Sequence, residues 1–122
     1  MGQIKILVVD DSPTQLKMII ASLQKLDCEV DTAMDGEEAL EKIHANRPDL
    51  VVLDVVMPKM DGFQVCRKMK ASSEISHIPV IMLSSKNQKA DIFWGKKQGA
   101  VTYLTKPYEE SMLLDAITEN LA

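Results

Sequence analysis

Short apolar segments alternate with amphipathic helical segments along the whole chain. The apolar segments, each of the length of one strand, cover residues 4–9, 28–33, 50–53, 80–83 and 101–104. The residues between them show helical spacing, as at Leu16, Ile19, Ile20, Leu23 and Leu26. The first, third and fourth apolar segments are continuously apolar, which is typical of parallel strands that helices cover on both faces. The alternation therefore predicts an α/β fold, a doubly wound (βα)5 sandwich with a five-stranded parallel sheet.

Residues that commonly cap helices stand at the predicted helix boundaries. They are Ser12-Pro13 and Asp35-Gly36 at the starts of the first and second helices, Pro48 at the end of the second, and Gly99 at the end of the fourth. The connections between these elements are short, and no linker or internal repeat interrupts them. We therefore expect residues 1–122 to form a single domain with no output domain.

Composition narrows the class of protein. The chain has 122 residues and a formal net charge of -4, and it lacks a block of Lys or Arg, so nucleic-acid binding by phosphate neutralisation is not expected. No apolar run approaches the ~18 residues that a membrane span needs. Cys28 and Cys66 form no CxxC pair, which favours small buried apolar side chains in a reducing compartment over a disulfide. A cytoplasmic protein with protein partners is predicted.

Polar side chains follow the predicted strands where each of them ends. Asp10 and Asp11 follow the first strand, Asp54 the third, Ser84 the fourth and Lys106 the fifth. Ligand sites of such sheets lie beyond the carboxyl ends of the strands, so these side chains should meet. A single Asp at a strand end is more often a turn residue or a cap, but gathered carboxylates repel one another unless a cation is held there. Oxygen ligands favour a hard divalent ion, Mg2+.

This set of residues suits phosphoryl transfer onto a carboxylate. Asp54 would be the nucleophile, since a carboxylate beside Mg2+ attacks a phosphoryl group when cations neutralise the equatorial oxygens. Lys106 would supply a fixed positive charge, and the Ser84 hydroxyl would hydrogen-bond a phosphoryl oxygen.

Four motifs, VVDDSP, DLVVLDVVMPKMDGFQVCRKMK, PVIMLSS and GAVTYLTKPY, span almost the whole chain. Together they resemble the receiver domain of two-component response regulators of the chemotaxis-regulator type. The resemblance implies a flavodoxin-like fold with strand order 2-1-3-4-5. Residue by residue, it implies Asp10 and Asp11 as the acidic pair for Mg2+, Asp54 as the phospho-acceptor, Ser84 as the switch hydroxyl, Lys106 as the active-site lysine and Tyr103 as the switch aromatic residue. It also implies the backbone carbonyl of Val56 as a metal ligand and a cis peptide bond between Lys106 and Pro107.

The chain departs from the commonest receiver pattern near the acceptor. Ser84 stands where Thr is more usual, which keeps the hydroxyl and removes a methyl group. Val56 and Lys86 occupy two positions that, in this family, are thought to adjust the lifetime of the phosphate. The Val56 side chain cannot orient a water molecule, and Lys86 would either pair with phosphoryl oxygens or extend into solvent. The loop at Met57-Pro58 and Asp61-Gly62 is interpreted as turn chemistry.

The segment FWGKKQGA predicts a partner surface. Phe93 and Trp94 are adjacent and cannot share one helix face, so we expect Phe93 in the core and Trp94 nearer the surface, as a candidate interface residue. Lys96 and Lys97 are interpreted as a solvated face. The segment also resembles stand-alone receivers of pilus-based twitching-motility systems, which implies a sensor histidine kinase as phosphodonor and a downstream protein target. Such a regulator would switch the surface of helix 4, strand 5 and helix 5, as a monomer or a weak phosphorylation-dependent dimer.

Other functions compete with this interpretation. A haloacid-dehalogenase-like phosphatase would need a second acid at the position of Val56, so turnover of outside substrates is not expected and the chain is predicted not to be an enzyme. A flavodoxin-like FMN binder would place phosphate where Asp10 and Asp11 repel it. Two alternatives stay open, a receiver that drains phosphate from a shared kinase and a binding module that acts without phosphorylation.

Overall fold

The computed structural model describes residues 3–121, which fold into five parallel strands and five helices in strict alternation. In chain order the elements are β1 Ile4–Val9, α1 Pro13–Leu23, β2 Cys28–Ala33, α2 Gly36–Asn46, β3 Leu50–Leu53, α3 Gly62–Ala71, β4 Val80–Ser84, α4 Lys89–Gln98, β5 Thr102–Thr105 and α5 Glu110–Glu119. The strand order is β2-β1-β3-β4-β5, so the predicted doubly wound sandwich and its flavodoxin-like order are confirmed.

The strand bounds differ from the sequence prediction only in the last two strands. β4 extends one residue further, to Ser84, because Ser84 pairs in register with Thr105. β5 begins one residue later than predicted, at Thr102, and the Val101 side chain before it is exposed. Helix α1 ends at Leu23, so Leu26 lies in the turn that follows it.

The helix ends lie where the capping residues predicted them. The Ser12 hydroxyl accepts a hydrogen bond from a backbone N–H of the first turn of α1, and the Asp35 carboxylate does the same for α2. Helix α2 ends two residues before Pro48, with Arg47 in the left-handed region at φ 47°. Gly99, at φ 117°, ends α4.

Successive residues of each strand point to opposite faces of the sheet, so one strand can contribute apolar side chains to both faces. Helices α2, α3 and α4 cover one face, and α1 and α5 cover the other. Alternate residues of β1 and β3 contribute to the two cores, which explains why these strands are continuously apolar in sequence. Within residues 3–121 there is no helix with the length and hydropathy that crossing a membrane requires.

Both cysteines are free thiols, but their environments differ. Cys66 is buried in α3, as predicted, and its Sγ donates to the Gln98 carbonyl oxygen at 3.4 Å. Cys28 is only half-buried, because it starts the edge strand β2. Burial raises the pKa of the Cys66 thiol to about 11, and the nearby Lys70 charge opposes that shift.

We expect the native protein to leave Cys66 unmodified by a thiol-disulfide reagent at pH 8. The reactive species is the thiolate, and the raised pKa makes it scarce while burial blocks access. In urea both thiols should react with the reagent. Without urea, the Cys66→Ala variant should react to the same extent as wild-type protein. Rapid labelling of Cys66 in the native state, located by peptide mass, would contradict the burial described for α3.

Candidate functional site

The carboxyl ends of β1 and β3 bring three carboxylates together at one edge of the sheet. Asp10 is 2 % exposed and Asp54 is also buried, whereas Asp11 is exposed. One carboxylate oxygen of each residue lies within 4.8 Å of the others. Asp10 and Asp54 follow paired strands, so the parallel register fixes their separation. The acids that the sequence placed at one sheet edge therefore form a compact group of oxygen donors.

Lys106 provides the positive charge inside this acidic group. Its Nζ lies 2.8 Å from Asp10 Oδ2 and 3.7 Å from Asp54 Oδ2, and its side chain is only 16 % exposed. The residue directly follows β5, and its backbone N–H donates to the Ser84 carbonyl oxygen at 2.8 Å. The Lys106–Pro107 peptide bond is cis. A single ammonium group thus faces two buried carboxylates.

The environment of Asp54 opposes its ionisation. Burial raises the pKa of the Asp54 carboxyl, the Lys106 charge lowers it, and the Asp10 charge raises it again. The backbone N–H of Val55 donates to Asp54 Oδ1 at 2.7 Å and holds the side chain in place. Asp10, Asp11 and Asp54 outnumber the one lysine that contacts them, so these acids could hold a metal ion.

The loop between β3 and α3 fixes the backbone of Asp54. The Gly62 N–H donates to the Val55 carbonyl oxygen at 2.8 Å. A Cβ atom at Gly62 would lie 2.2 Å from the Asp54 carbonyl oxygen, so any other residue would displace the acceptor strand or the helix. The sequence suggested only a turn here, because spacing does not reveal that helix α3 begins against the acceptor's own backbone.

Ser84 and Tyr103 both form hydrogen bonds with the backbone of Lys86. Ser84 is fully buried at the end of β4, and its Oγ accepts a hydrogen bond from the Lys86 N–H at 3.2 Å. The Tyr103 ring is buried, and its hydroxyl donates to the Lys86 carbonyl oxygen at 2.7 Å. These contacts join β4, β5 and the loop before α4. Displacement of the Lys86 backbone would therefore change both hydrogen bonds.

Comparison with known proteins decides the family. Residues 6–118 match the model of the response regulator receiver domain. The chain belongs to this family. The receiver is 43% identical over 118 residues to Protein PilH of Pseudomonas aeruginosa, covering 97% of this chain and 98% of PilH. It is 42% identical over 114 residues to Protein PilG of the same organism, covering 93% of this chain and 84% of PilG.

A solved structure agrees with the family and the fold. The chemotaxis response regulator CheY4 of Vibrio cholerae superposes on this receiver with a TM-score of 0.89 and 35% sequence identity, covering 98% of this chain and 100% of CheY4. The likeness extends over both the sheet and its helices, so the receiver fold of this chain is shown.

Helix α4 of the receiver corrects one prediction. Phe93 was expected in the core, but its side chain is 64 % exposed. The buried position of α4 is Gly95, which lies two residues after Phe93 and so on the opposite face of the helix. The prediction was wrong because Ile92, directly before Phe93, is the apolar residue of α4 that packs against the core, and the buried Gly95 leaves no trace in an apolar pattern. Trp94 is 47 % exposed, so its position nearer the surface is confirmed.

The two residues expected to adjust phosphate lifetime lie on the surface of the receiver. The Val56 side chain is exposed beside the acceptor loop. The Nζ of the exposed Lys86 lies 3.6 Å from Asp91 Oδ1 in the first turn of α4, and a contact of Lys86 with phosphoryl oxygens stays a prediction. In this arrangement a salt bridge holds the ammonium group of Lys86.

Proposed function

We propose that this receiver accepts a phosphoryl group from a sensor histidine kinase onto Asp54 in a Mg2+-dependent reaction and thereby controls the binding of a partner protein. The observation that carries the proposal is the grouping of Asp54 with Asp10, Asp11 and Lys106 at the carboxyl edge of the sheet. A buried carboxylate nucleophile, oxygen ligands for a metal and a fixed cation are the groups that phosphoryl transfer requires.

The acidic residues fit a magnesium ion. Carboxylate oxygens are hard donors, and three of them converge while Asp11 leaves the group open to solvent. Burial and the Asp10 charge raise the pKa of Asp54, and a divalent cation bound beside its carboxylate would favour the charged form. We assign Asp10, Asp11, Asp54 and the backbone carbonyl of Val56 as the ligands. Bound there, Mg2+ supplies positive charge to the phosphoryl oxygens and shields the acceptor from its neighbours.

In the proposed reaction an Asp54 carboxylate oxygen attacks the phosphorus of a phosphohistidine. A new P–O bond forms as the P–N bond breaks, and the electron pair of that bond leaves on the imidazole nitrogen, which can then take up a proton from solvent. Lys106 moves its charge toward a phosphoryl oxygen from its place beside Asp10, and the Ser84 hydroxyl donates to another. Hydrolysis later returns Asp54 to its free form, so the chain catalyses only its own phosphorylation and dephosphorylation.

The hydrogen bonds around Lys86 support a mechanism by which phosphorylation of Asp54 changes the protein surface. If Ser84 Oγ moves toward the phosphoryl group while it still accepts the Lys86 N–H, the Lys86 backbone moves with it. The Lys86 carbonyl holds the Tyr103 hydroxyl, so the loop and Tyr103 would shift together. We infer that this two-state packing change alters the surface of α4, β5 and α5.

The partners are inferred from the family and its relatives. We propose a sensor histidine kinase as phosphodonor and a downstream protein target, with no nucleic acid or membrane among the ligands. We place the receiver in the cytoplasm and in twitching-motility or chemotaxis signalling, on the resemblance of the FWGKKQGA segment and the similarity to PilH, PilG and CheY4. The described residues, 3–121, would act as one receiver domain.

Replacing Asp54 by Asn is expected to abolish phosphoryl uptake. Wild-type protein mixed with acetyl phosphate and Mg2+ should gain the mass of one phosphoryl group, because the carboxylate oxygen is the nucleophile. Intact mass spectrometry measures the gain, and its decay after removal of the donor gives the phosphate lifetime. Asp54→Asn, or chelation of Mg2+ with EDTA, should prevent the gain, whereas Asp115→Asn, on the exposed side of α5, should retain it. Wild-type protein that gains no mass would favour a phosphorylation-independent binding module.

A further inference from the structure

Helix α4 turns two adjacent aromatic side chains toward solvent. The chain has only five aromatic residues, and Phe93 and Trp94 are the two that are exposed. Phe93 is 64 % exposed and Trp94 47 %, and neither is among the buried or partly buried residues of the two cores. Adjacent exposed aromatics are a common feature of interface anchors, because they bury a large area at a small cost in side-chain entropy.

Lysines surround Phe93 on the same face of α4. Lys89 lies four residues before it, Lys96 three after it and Lys97 four after it, which are the spacings of neighbours on a helix surface. All three lysines are exposed. We call Lys89, Phe93, Trp94, Lys96 and Lys97 the α4 outer face.

The positive charge of the α4 outer face is local and not neutralised from within the helix. The whole chain has a formal net charge of -4, whereas residues 86–97 contain four lysines and one acid. That acid, Asp91, pairs with Lys86 at 3.6 Å and accepts the Gln88 N–H at 3.1 Å on the half-buried side of α4. The lysines around Phe93 therefore present a basic rim on an otherwise acidic protein.

We propose that the α4 outer face binds an acidic segment of the downstream partner. One apolar side chain of that segment packs against Phe93 and Trp94, and its Asp or Glu residues lie beside Lys89 and Lys97. This inference rests on the proposed function, because it gives the chemistry of the partner that the receiver controls. An apolar anchor within a rim of complementary charge is a common arrangement of a peptide-binding surface.

The same features argue against two other occupants. A second copy of this chain, joined through the same face by a two-fold axis, would place lysines against lysines. A lipid surface would need a broader apolar face than two residues of a ten-residue helix provide. An acidic protein segment satisfies both the aromatic and the basic components.

The test uses Trp94 as its own probe, since it is the only tryptophan of the chain. The purified protein of 122 residues is titrated with a synthetic peptide in which one Phe stands among Asp and Glu residues. The matched control peptide carries Asn and Gln in their place. We expect a saturable change in Trp94 emission with the acidic peptide, at least about tenfold weaker binding of the control peptide, and further weakening as salt is added.

Protein variants locate the binding surface. Phe93→Ala and the double variant Lys89→Glu/Lys97→Glu should each weaken binding of the acidic peptide by about tenfold or more. The double variant should instead prefer a peptide with Lys in place of the acids. Two matched controls on other helices, Met18→Ala and Lys17→Glu/Lys68→Glu, replace exposed side chains of the same kinds and should bind as wild type does.

The inference would be overturned by equal affinity for the acidic and neutral peptides, or by binding that Phe93→Ala leaves unchanged. It would also be overturned if the emission of Trp94 changed only through self-association, measured by sedimentation, or only on addition of vesicles containing phosphatidylglycerol. Failure of the proposed function is distinguishable. Wild-type protein that takes up phosphate from acetyl phosphate but binds no acidic peptide overturns this inference alone, and the reverse result overturns phosphoryl transfer alone.

Discussion

Lys106→Met is expected to lower the free energy of unfolding by about 3 kcal/mol at pH 7 in EDTA. The Lys106 ammonium group lies 2.8 Å from a carboxylate of Asp10 that is 2 % exposed, and it also faces Asp54. Methionine retains the length and packing of the side chain but leaves two buried carboxylates facing each other without a cation. Urea unfolding followed by circular dichroism measures the loss.

Two comparisons separate this effect from a general loss of charge. Lys25→Met removes the salt bridge to Glu110, which solvent screens, and should cost much less stability than Lys106→Met. Combining Lys106→Met with Asp10→Asn should recover most of the lost stability, because one of the unpaired acids is then neutral. Adding Mg2+ to Lys106→Met should also recover part of it. A loss for Lys106→Met no larger than that for Lys25→Met would contradict the assigned role of Lys106.

The fold was predictable from the sequence because the same information recurs along the chain. The three central strands β1, β3 and β4 are short apolar runs, and each helix shows its own spacing and caps, so an error in one element does not change the rest. The bounds of β2 and β3 agree with the prediction at both ends. The grouping of Asp10 and Asp54 followed from topology alone, since parallel strands end at one edge.

The structural features that the sequence did not predict depend on packing between elements. Phe93 was assigned to the core, whereas the positions of α4 that face the core are Ile92 and Gly95, and Gly95 carries no apolar signal. The salt bridge between Lys86 and Asp91 and the hydrogen bond from Tyr103 to the Lys86 carbonyl depend on the conformation of one loop. Spacing rules describe the regular elements and contain no information about such a loop.

Gly62→Ala is expected to lower the free energy of unfolding by about 3 kcal/mol and to slow phosphoryl uptake at Asp54 by about tenfold or more. Alanine has a higher helix propensity than glycine. The added Cβ, however, would lie 2.2 Å from the Asp54 carbonyl oxygen and 2.9 Å from Val55 Cα. Both contacts are with backbone, so the overlap is relieved only by moving β3 or the start of α3. Urea unfolding gives the stability, and the rate of mass gain with acetyl phosphate gives the uptake.

Gly36→Ala distinguishes displacement of the acceptor from simple loss of stability. A Cβ at Gly36 would lie 2.7 Å from the Met60 carbonyl oxygen and 2.9 Å from a Val65 methyl group, so this variant is also overpacked, but at a distance from Asp54 along the loop. We expect it to lose stability and to take up phosphate at a rate close to that of wild type. If Gly62→Ala, measured where it is fully folded, also takes up phosphate at the wild-type rate, then contact with Gly62 does not set the position of Asp54. Slow uptake by Gly62→Ala alone would show that the start of α3 holds the nucleophile in place through its backbone.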